Sequence, residues 1–203
     1  MNPTRADQRM SRPNDARALR SREALRTGLL ALLQEQPFHQ ISIRDITKQA
    51  GVSYPVFFRR YASKEELFAD LAAEEVRNLL TRTYPMLEHV QAADGIHAMC
   101  VYVQERRALW KALLTTGGAS AMRDEFTQLS ADIGHAGPRS NPWLPVSLAS
   151  SFVATGILEI LTWWLNQPDD YPTRNIEIFL DRLIVRPAGI PQQVDLVPYQ
   201  AAG

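Results

Sequence analysis

The chain has 203 residues, of which 45% are hydrophobic and 22% charged, the composition of an ordinary globular protein long enough for one large or two small cores. One cysteine, Cys100, excludes an intrachain disulfide, and nothing in the composition points to an oxidising compartment. The formal net charge of zero hides an uneven split: residues 1–64 carry twelve Lys/Arg against five Asp/Glu (+7), and residues 65–203 carry ten against seventeen (−7), so a polyanionic partner suits one end only.

In chain order, residues 1–13 read as a flexible basic tail carrying Arg5, Arg9 and Arg12; with no apolar run like a signal peptide, the cytoplasm is the expected location. From Asn14 to Gln36, Ala18, Leu19, Leu25, Leu29, Leu32 and Leu33 recur on one helical face, and Pro37 stops the helix. Phe38 and Ile41 should plug the gap before the next element. Ser42 with Asp45 has capping-box spacing, and Ile43, Ile46 and Ala50 give a two-turn helix that Gly51 closes. Val52 fills the corner and Ser53 is expected to cap a second helix from Tyr54 to Tyr61, with Phe57 and Tyr61 facing inward. Ser63 with Glu66 repeats the capping box. Helix, Gly-containing turn, helix is the helix-turn-helix pattern, here about 42–61, whose second helix can enter a DNA major groove.

AGVS, an aromatic four residues after its serine, then RRYASKEEL resembles the N-terminal domain of the tetracycline-repressor (TetR) family, over residues 20–70. The resemblance implies a three-helix DNA-binding head, a helical body that dimerises, and a small-molecule effector held in that body. The chain departs from the family pattern at Pro55, Val56, Phe57 and Phe58, where Gly, Thr and an aromatic pair ending in Tyr are frequent. Thr47 stands where Ala is usual. A phosphate-binding tyrosine hydroxyl is therefore missing at Phe58, and a threonine hydroxyl at Val56.

The third helix should run from Ser63 through Leu67, Leu71, Val76, Leu79 and Leu80 until Pro85 interrupts it. Asp94–Gly95 opens the next, with Ile96, Met99, Tyr102 and Val103 buried; Leu109–Leu114 continues or restarts it and Gly117–Gly118 ends it. Ala121–Ile133 is helical around Met122, Phe126 and Leu129, and 135–142 is a loop. Trp143–Leu165 is the most apolar stretch, but Ser147, Ser150, Ser151, Thr155, Glu159 and Thr162 interrupt it, so it reads as a buried helix rather than a membrane span. The last helix, Thr173–Val185, places Ile176, Phe179, Leu180, Leu183 and Ile184 on one stripe; 186–203 reads as an extended tail. No strand pattern appears, so the fold class is all-α.

The four histidines are scattered, and there is no Gly-rich phosphate loop or nucleophile elbow, so no catalytic residue, cofactor or metal is assigned. The DNA-binding candidates are Ser42, Arg44, Ser53, Tyr54, Pro55, Val56, Phe58, Arg59, Arg60 and Lys64. Pro55 and Val56 can lie against thymine methyls, while Arg44 and Lys64 suit phosphates. Met99, Tyr102, Val103, Trp110, Phe126 and Phe152 are the ligand-pocket candidates. Leu148, Phe152, Gly156, Ile176, Phe179, Leu180 and Leu183 are the dimer-interface candidates. The expected organisation is a basic tail at 1–13, a head at 14–65, an effector-binding and dimerisation body at 66–186, and a tail at 187–203. The expected function is that of a homodimeric repressor of a palindromic double-stranded operator, released by a small hydrophobic effector. Arg106 and Arg107, the only basic pair near the pocket, either serve it or cap a helix end. The rival reading is a ligand-binding or protein-interaction protein whose head no longer reads DNA.

Overall fold

The computed structural model describes residues 5–87, 92–136, 141–189 and 191–194. The expected features at 1–4, at the centre of the 135–142 loop and at 195–203, with His89, lie outside these. The helices are α1 (Arg5–Glu35), α2 (Ile43–Gln49), α3 (Tyr54–Phe58), α4 (Lys64–Leu87), α5 (Ala92–Glu105), α6 (Arg107–Thr115), α7 (Ala119–Ala136), α8 (Val146–Leu165), α9 (Thr173–Leu180) and α10 (Arg186–Gly189). No strand occurs among the described residues.

The head forms because α1 buries Leu25, Leu29 and Leu32 against α2 and α4. Its helix already includes residues 5–13, expected as tail, and Leu19, expected on the inner face, is 65% exposed. Gly28 lets α2 approach, since a Cβ there would lie 3.0 Å from the Ala50 backbone nitrogen. Phe38 and Ile41 are buried as expected, Phe38 stacking on Phe68 with ring centroids 4.2 Å apart. Helix α4 does not stop before Pro85; the proline stands in its last turn, where a missing N–H removes a single helical bond.

At 24 residues α4 spans about 36 Å, so one rod belongs to both head and body. In the body α4 packs on α5 and α7, and α7 packs on α8. Helix α8 is long and apolar enough to cross a membrane by length and composition, yet its apolar residues divide between two faces. Ala154, Ile157, Leu158, Leu161, Trp164 and Leu165 are buried; Leu148, Phe152 and Trp163 are exposed. Arg107 does cap a helix end: it donates to the Trp164 and Gln167 carbonyls and pairs with Asp169 at the end of α8.

The last helix is continuous in course but not in type. A π-helical turn, Asp181–Val185, joins α9 to α10, so helix reaches Gly189 where an extended tail was expected from 186. Ile176, Leu180 and Ile184 face the core, but Leu183 is 59% exposed and Phe179 is half-buried, so the expected single stripe is two. Ile184 rests on Gly156 of α8, where a Cβ would meet its Cδ1 at 2.4 Å.

Candidate nucleic-acid interface

Local rules build most of the helix-turn-helix. The Ser42 hydroxyl accepts from the Asp45 N–H and the Asp45 carboxylate accepts from the Ser42 N–H, completing the capping box. That carboxylate is held below its usual range, first by the Ser42 hydroxyl bond and then by the Ser42 backbone bond. Gly51 closes α2 at φ +64, a left-handed conformation that costs glycine least. Thr47 is buried, its hydroxyl satisfied by the Arg44 carbonyl at 3.0 Å, which explains how a polar residue fits an alanine-like site.

Ser53 occupies the N-cap position of α3, but its side chain makes no capping bond. The second helical position is Pro55, which has no N–H, and the Val56 N–H is already given to the Ser53 carbonyl at 2.9 Å. The expected cap is thus corrected, and the hydroxyl stays outward. Helix α3 is also shorter than expected, ending at Phe58.

On α3, Phe57 is fully buried and Val56 half-buried, while Tyr54, Pro55 and Phe58 are exposed. Tyr54 meets Phe58 edge-on at 5.1 Å, Phe58 meets Phe57 at 5.4 Å, and Phe57 meets Tyr61 at 5.9 Å. This aromatic row runs from solvent into the core. Arg44, Lys48, Arg59 and Arg60 of the same helix-turn-helix segment are exposed. Arg60 donates to the Ser21 hydroxyl, and Arg44 and Arg59 make no ion pair among the described residues.

Lys64 is placed differently from expectation. Its ammonium donates to the Phe38 and Ile41 carbonyls at 3.2 and 2.8 Å and sits 4.7 Å from the Phe38 ring centre. Two of its three donors therefore hold the turn before α2, and its first role is structural. Ser63 caps α4 through the Glu66 N–H, and the Glu66 carboxylate returns to the Ala62 N–H rather than to Ser63 itself.

Behind the head lies a charge network no local pattern reveals. Arg22 and Arg26 of α1 both bond the Asp70 carboxylate of α4, which also accepts from the Tyr61 hydroxyl at 2.5 Å. Arg26 continues to Glu74, Glu74 to Arg77, and Arg77 to Glu125 of α7. Burial alone would raise the Asp70 pKa, but the bonds from Arg22, Arg26 and Tyr61 outweigh it and hold it well below the usual carboxylate range. Burial, then the bond to Asp70, pushes the Tyr61 hydroxyl up to about 12.

In the body, Met99, Tyr102, Val103, Trp110 and Phe126 are all buried. Tyr102 and Trp110 meet edge-on at 6.3 Å, and the Arg106 guanidinium lies 4.1 Å from the centre of the Tyr102 ring. Glu75, expected with Glu74 on a solvated helix face, is instead 6% exposed and accepts from the Tyr102 hydroxyl at 2.9 Å. Burial raises its pKa above the usual range despite that bond. The Trp110 indole N–H lies near Glu75 without meeting hydrogen-bond geometry. Phe152 does not join this group: it is 62% exposed on the outer face of α8.

A surface groove of about 420 Å³ lies between Leu33–His39 and α6, and another of about 630 Å³ between α5 and the start of α9. Neither is lined by the five buried residues. Of the dimer candidates, Leu148, Phe152 and Leu183 are exposed and Phe179 is half-buried. Ile176 and Leu180 are 0% and 1% exposed inside the protomer's own core, and Gly156 seats Ile184 of the π-helical turn, so these three are corrected to intramolecular roles.

Fold and site define an all-helical protein with an N-terminal helix-turn-helix head and a helical body. Residues 26–71 match the model of the family "Bacterial regulatory proteins, tetR family". An uncharacterized HTH-type transcriptional regulator of Bacillus subtilis (strain 168), YxbF, is 43% identical over 54 residues, 26% of this chain, and the match spans only 14% of that protein's length. Among solved structures, a TetR transcriptional regulator from Streptococcus agalactiae 2603V superposes with TM-score 0.58 at 18% identity, over 86% of this chain and 99% of its own. Thermus thermophilus FadR, a TetR family transcriptional repressor in complex with lauroyl-CoA, superposes with TM-score 0.61 at 16% identity, over 89% of this chain and 100% of its own. Over residues 26–71 the chain thus carries the N-terminal domain pattern of the tetR family of bacterial regulatory proteins.

Proposed function

We propose that this protein is a cytoplasmic, DNA-binding transcriptional regulator, a homodimer that represses from a palindromic operator and is released by a hydrophobic effector. The observation that carries the reading is the outward face of α3, with exposed cations in the same helix-turn-helix, on a head of charge +7. Arg44 and Arg59 supply phosphate contacts, and the face of α3 reads bases. The two heads are brought to one operator by pairing of the exposed stripe Leu148, Phe152 and Leu183, which would otherwise leave large apolar side chains in water.

The effector is proposed to enter the body by opening the packed group around Tyr102 and Trp110, where Glu75 and an unpartnered indole N–H give a polar end to an apolar site. An effector that prefers the arrangement with wrongly spaced heads lowers operator affinity by its differential affinity for the two arrangements. Lauroyl-CoA, which the Thermus structure holds in complex, is the first compound to screen.

Selection from a random duplex pool at low salt tests the core of this reading. An enriched palindrome, bound with an affinity that falls steeply as salt rises, is the expected result. If no duplex is enriched, the regulator reading falls.

A further inference from the structure

The recognition helix of this chain carries almost no hydrogen-bonding equipment. Its exposed residues are Tyr54, Pro55 and Phe58, and only the Tyr54 hydroxyl among them can donate or accept from a side chain. Tyr54 and Phe58 are 46% and 48% exposed, and in the described head only Leu19 of α1 is another large hydrophobic so exposed. The pair is also fixed. Phe58 is held edge-on between Tyr54 and the fully buried Phe57, so its ring has little rotational freedom left to lose on binding.

A rigid apolar face constrains what can lie against it. Base edges in the major groove present carbonyls, ring nitrogens and amino groups, and pressing a ring on any of these strips water without replacing the hydrogen bond. Among the four unmodified bases, the thymine 5-methyl is the one methyl group those edges carry. Arg44, Lys48 and Arg59 are exposed in the same helix-turn-helix, on a head of charge +7, so the charge favours a phosphate-lined groove over an apolar protein surface.

We propose that Tyr54, Pro55 and Phe58 form a methyl-reading face, and that each operator half-site is specified chiefly by thymine methyls seated on Phe58 and Tyr54 rather than by hydrogen bonds to base edges. This rests on the regulator reading above and names the feature of DNA that its head selects. It also gives Phe58 a role that the tyrosine it replaces, a phosphate ligand by resemblance, would not fill.

The test uses the full chain and the palindrome enriched by selection. Each thymine is replaced in turn by uracil, which deletes the methyl and keeps O4 and base pairing, and affinity is read by fluorescence anisotropy. At one or two positions per half-site the loss should be about fourfold per methyl, and about fifteenfold when both half-sites are changed. In Tyr54→Ala/Phe58→Ala the thymine and uracil duplexes should bind alike, at the level of wild type on the uracil duplex. Phe58→Leu, which keeps an apolar surface, should retain part of the discrimination. Arg59→Ala should weaken both duplexes equally. An enriched palindrome in which no uracil replacement changes affinity by twofold overturns the proposal and leaves the regulator reading standing. So does a double alanine variant, folded by circular dichroism, that keeps full discrimination. Failure to enrich any duplex overturns both.

Discussion

Lys64 and Arg44 look alike in sequence, two cations in the basic head, but their surroundings assign them different work. Lys64 is bound to two carbonyls and an aromatic ring, whereas Arg44 is exposed and unpaired among the described residues. Lys64→Ala should therefore lower unfolding free energy by about 1–3 kcal/mol, because a charge-assisted donor is lost from two carbonyls. Arg44→Ala should change stability by no more than about 0.5 kcal/mol while weakening every duplex alike. Urea denaturation beside duplex titration checks both; an unstable Arg44→Ala or an unperturbed Lys64→Ala contradicts the assignment. What was legible at this scale was local. The Ser42–Asp45 box follows from three-residue spacing, and Gly51 from helix closure. The carbonyl partners of Lys64 went unseen because they lie 26 and 23 residues away, as did the α1 partners of Asp70 and the Tyr102 partner of Glu75, 27 to 48 residues away. Ser53 was misread for a local reason, the missing N–H of Pro55.

Helix α8 shows where periodicity stops informing. Its sequence is apolar on nearly all sides, so the pattern gives a helix but not which face turns inward. That is why Phe152 served in the sequence reading both as pocket and as interface. The structure turns Ala154, Ile157, Leu158 and Leu161 in and leaves Leu148 and Phe152 out. In α9 an ordinary helical period put Ile176, Phe179, Leu180 and Leu183 together, and the structure separates Ile176 and Leu180 from Leu183. The two kinds of leucine make opposite predictions. Leu183→Glu or Leu148→Glu should leave the thermal melt of the protomer nearly unchanged and convert a dimer to monomer, with duplex affinity lost because two half-sites no longer bind together. Leu180→Glu should destabilise the protomer itself by several kcal/mol, since an unpaired carboxylate replaces a buried side chain. Sedimentation of the three variants beside wild type decides; a wild-type monomer at micromolar concentration overturns the pairing.

At the scale of the molecule, head and body share α4, and the ionic ladder runs along it from Tyr61 at the end of the helix-turn-helix to Glu125 on α7. Asp70 is the point where it holds the head, joining α1, α4 and Tyr61 through a carboxylate that is 16% exposed. Removing that charge strands Arg22 and Arg26, and a partly buried ion pair broken on one side costs about 3–5 kcal/mol at the upper end. Glu125 sits at the far end on a more exposed pair, so Glu125→Gln should cost no more than about 1 kcal/mol. The chain carries its own reporter for the difference, because all four tryptophans, Trp110, Trp143, Trp163 and Trp164, belong to the body. Far-UV circular dichroism reports head and body together, and tryptophan fluorescence the body alone. Wild type and Glu125→Gln should give coincident melting curves by the two probes, the signature of one cooperative unit. Asp70→Asn should separate them, with the ellipticity beginning to fall before the fluorescence changes, because the head loosens first. The same carboxylate sets an acid limit. Its folded pKa is depressed, so its contribution is present above the unfolded carboxylate pKa and is lost as pH falls below that value toward the folded one. Wild type should therefore lose stability between neutral pH and strong acid more steeply than Asp70→Asn. Parallel acid titrations of the two, or coincident probes in Asp70→Asn, would show that the ladder does not tie the head to the body.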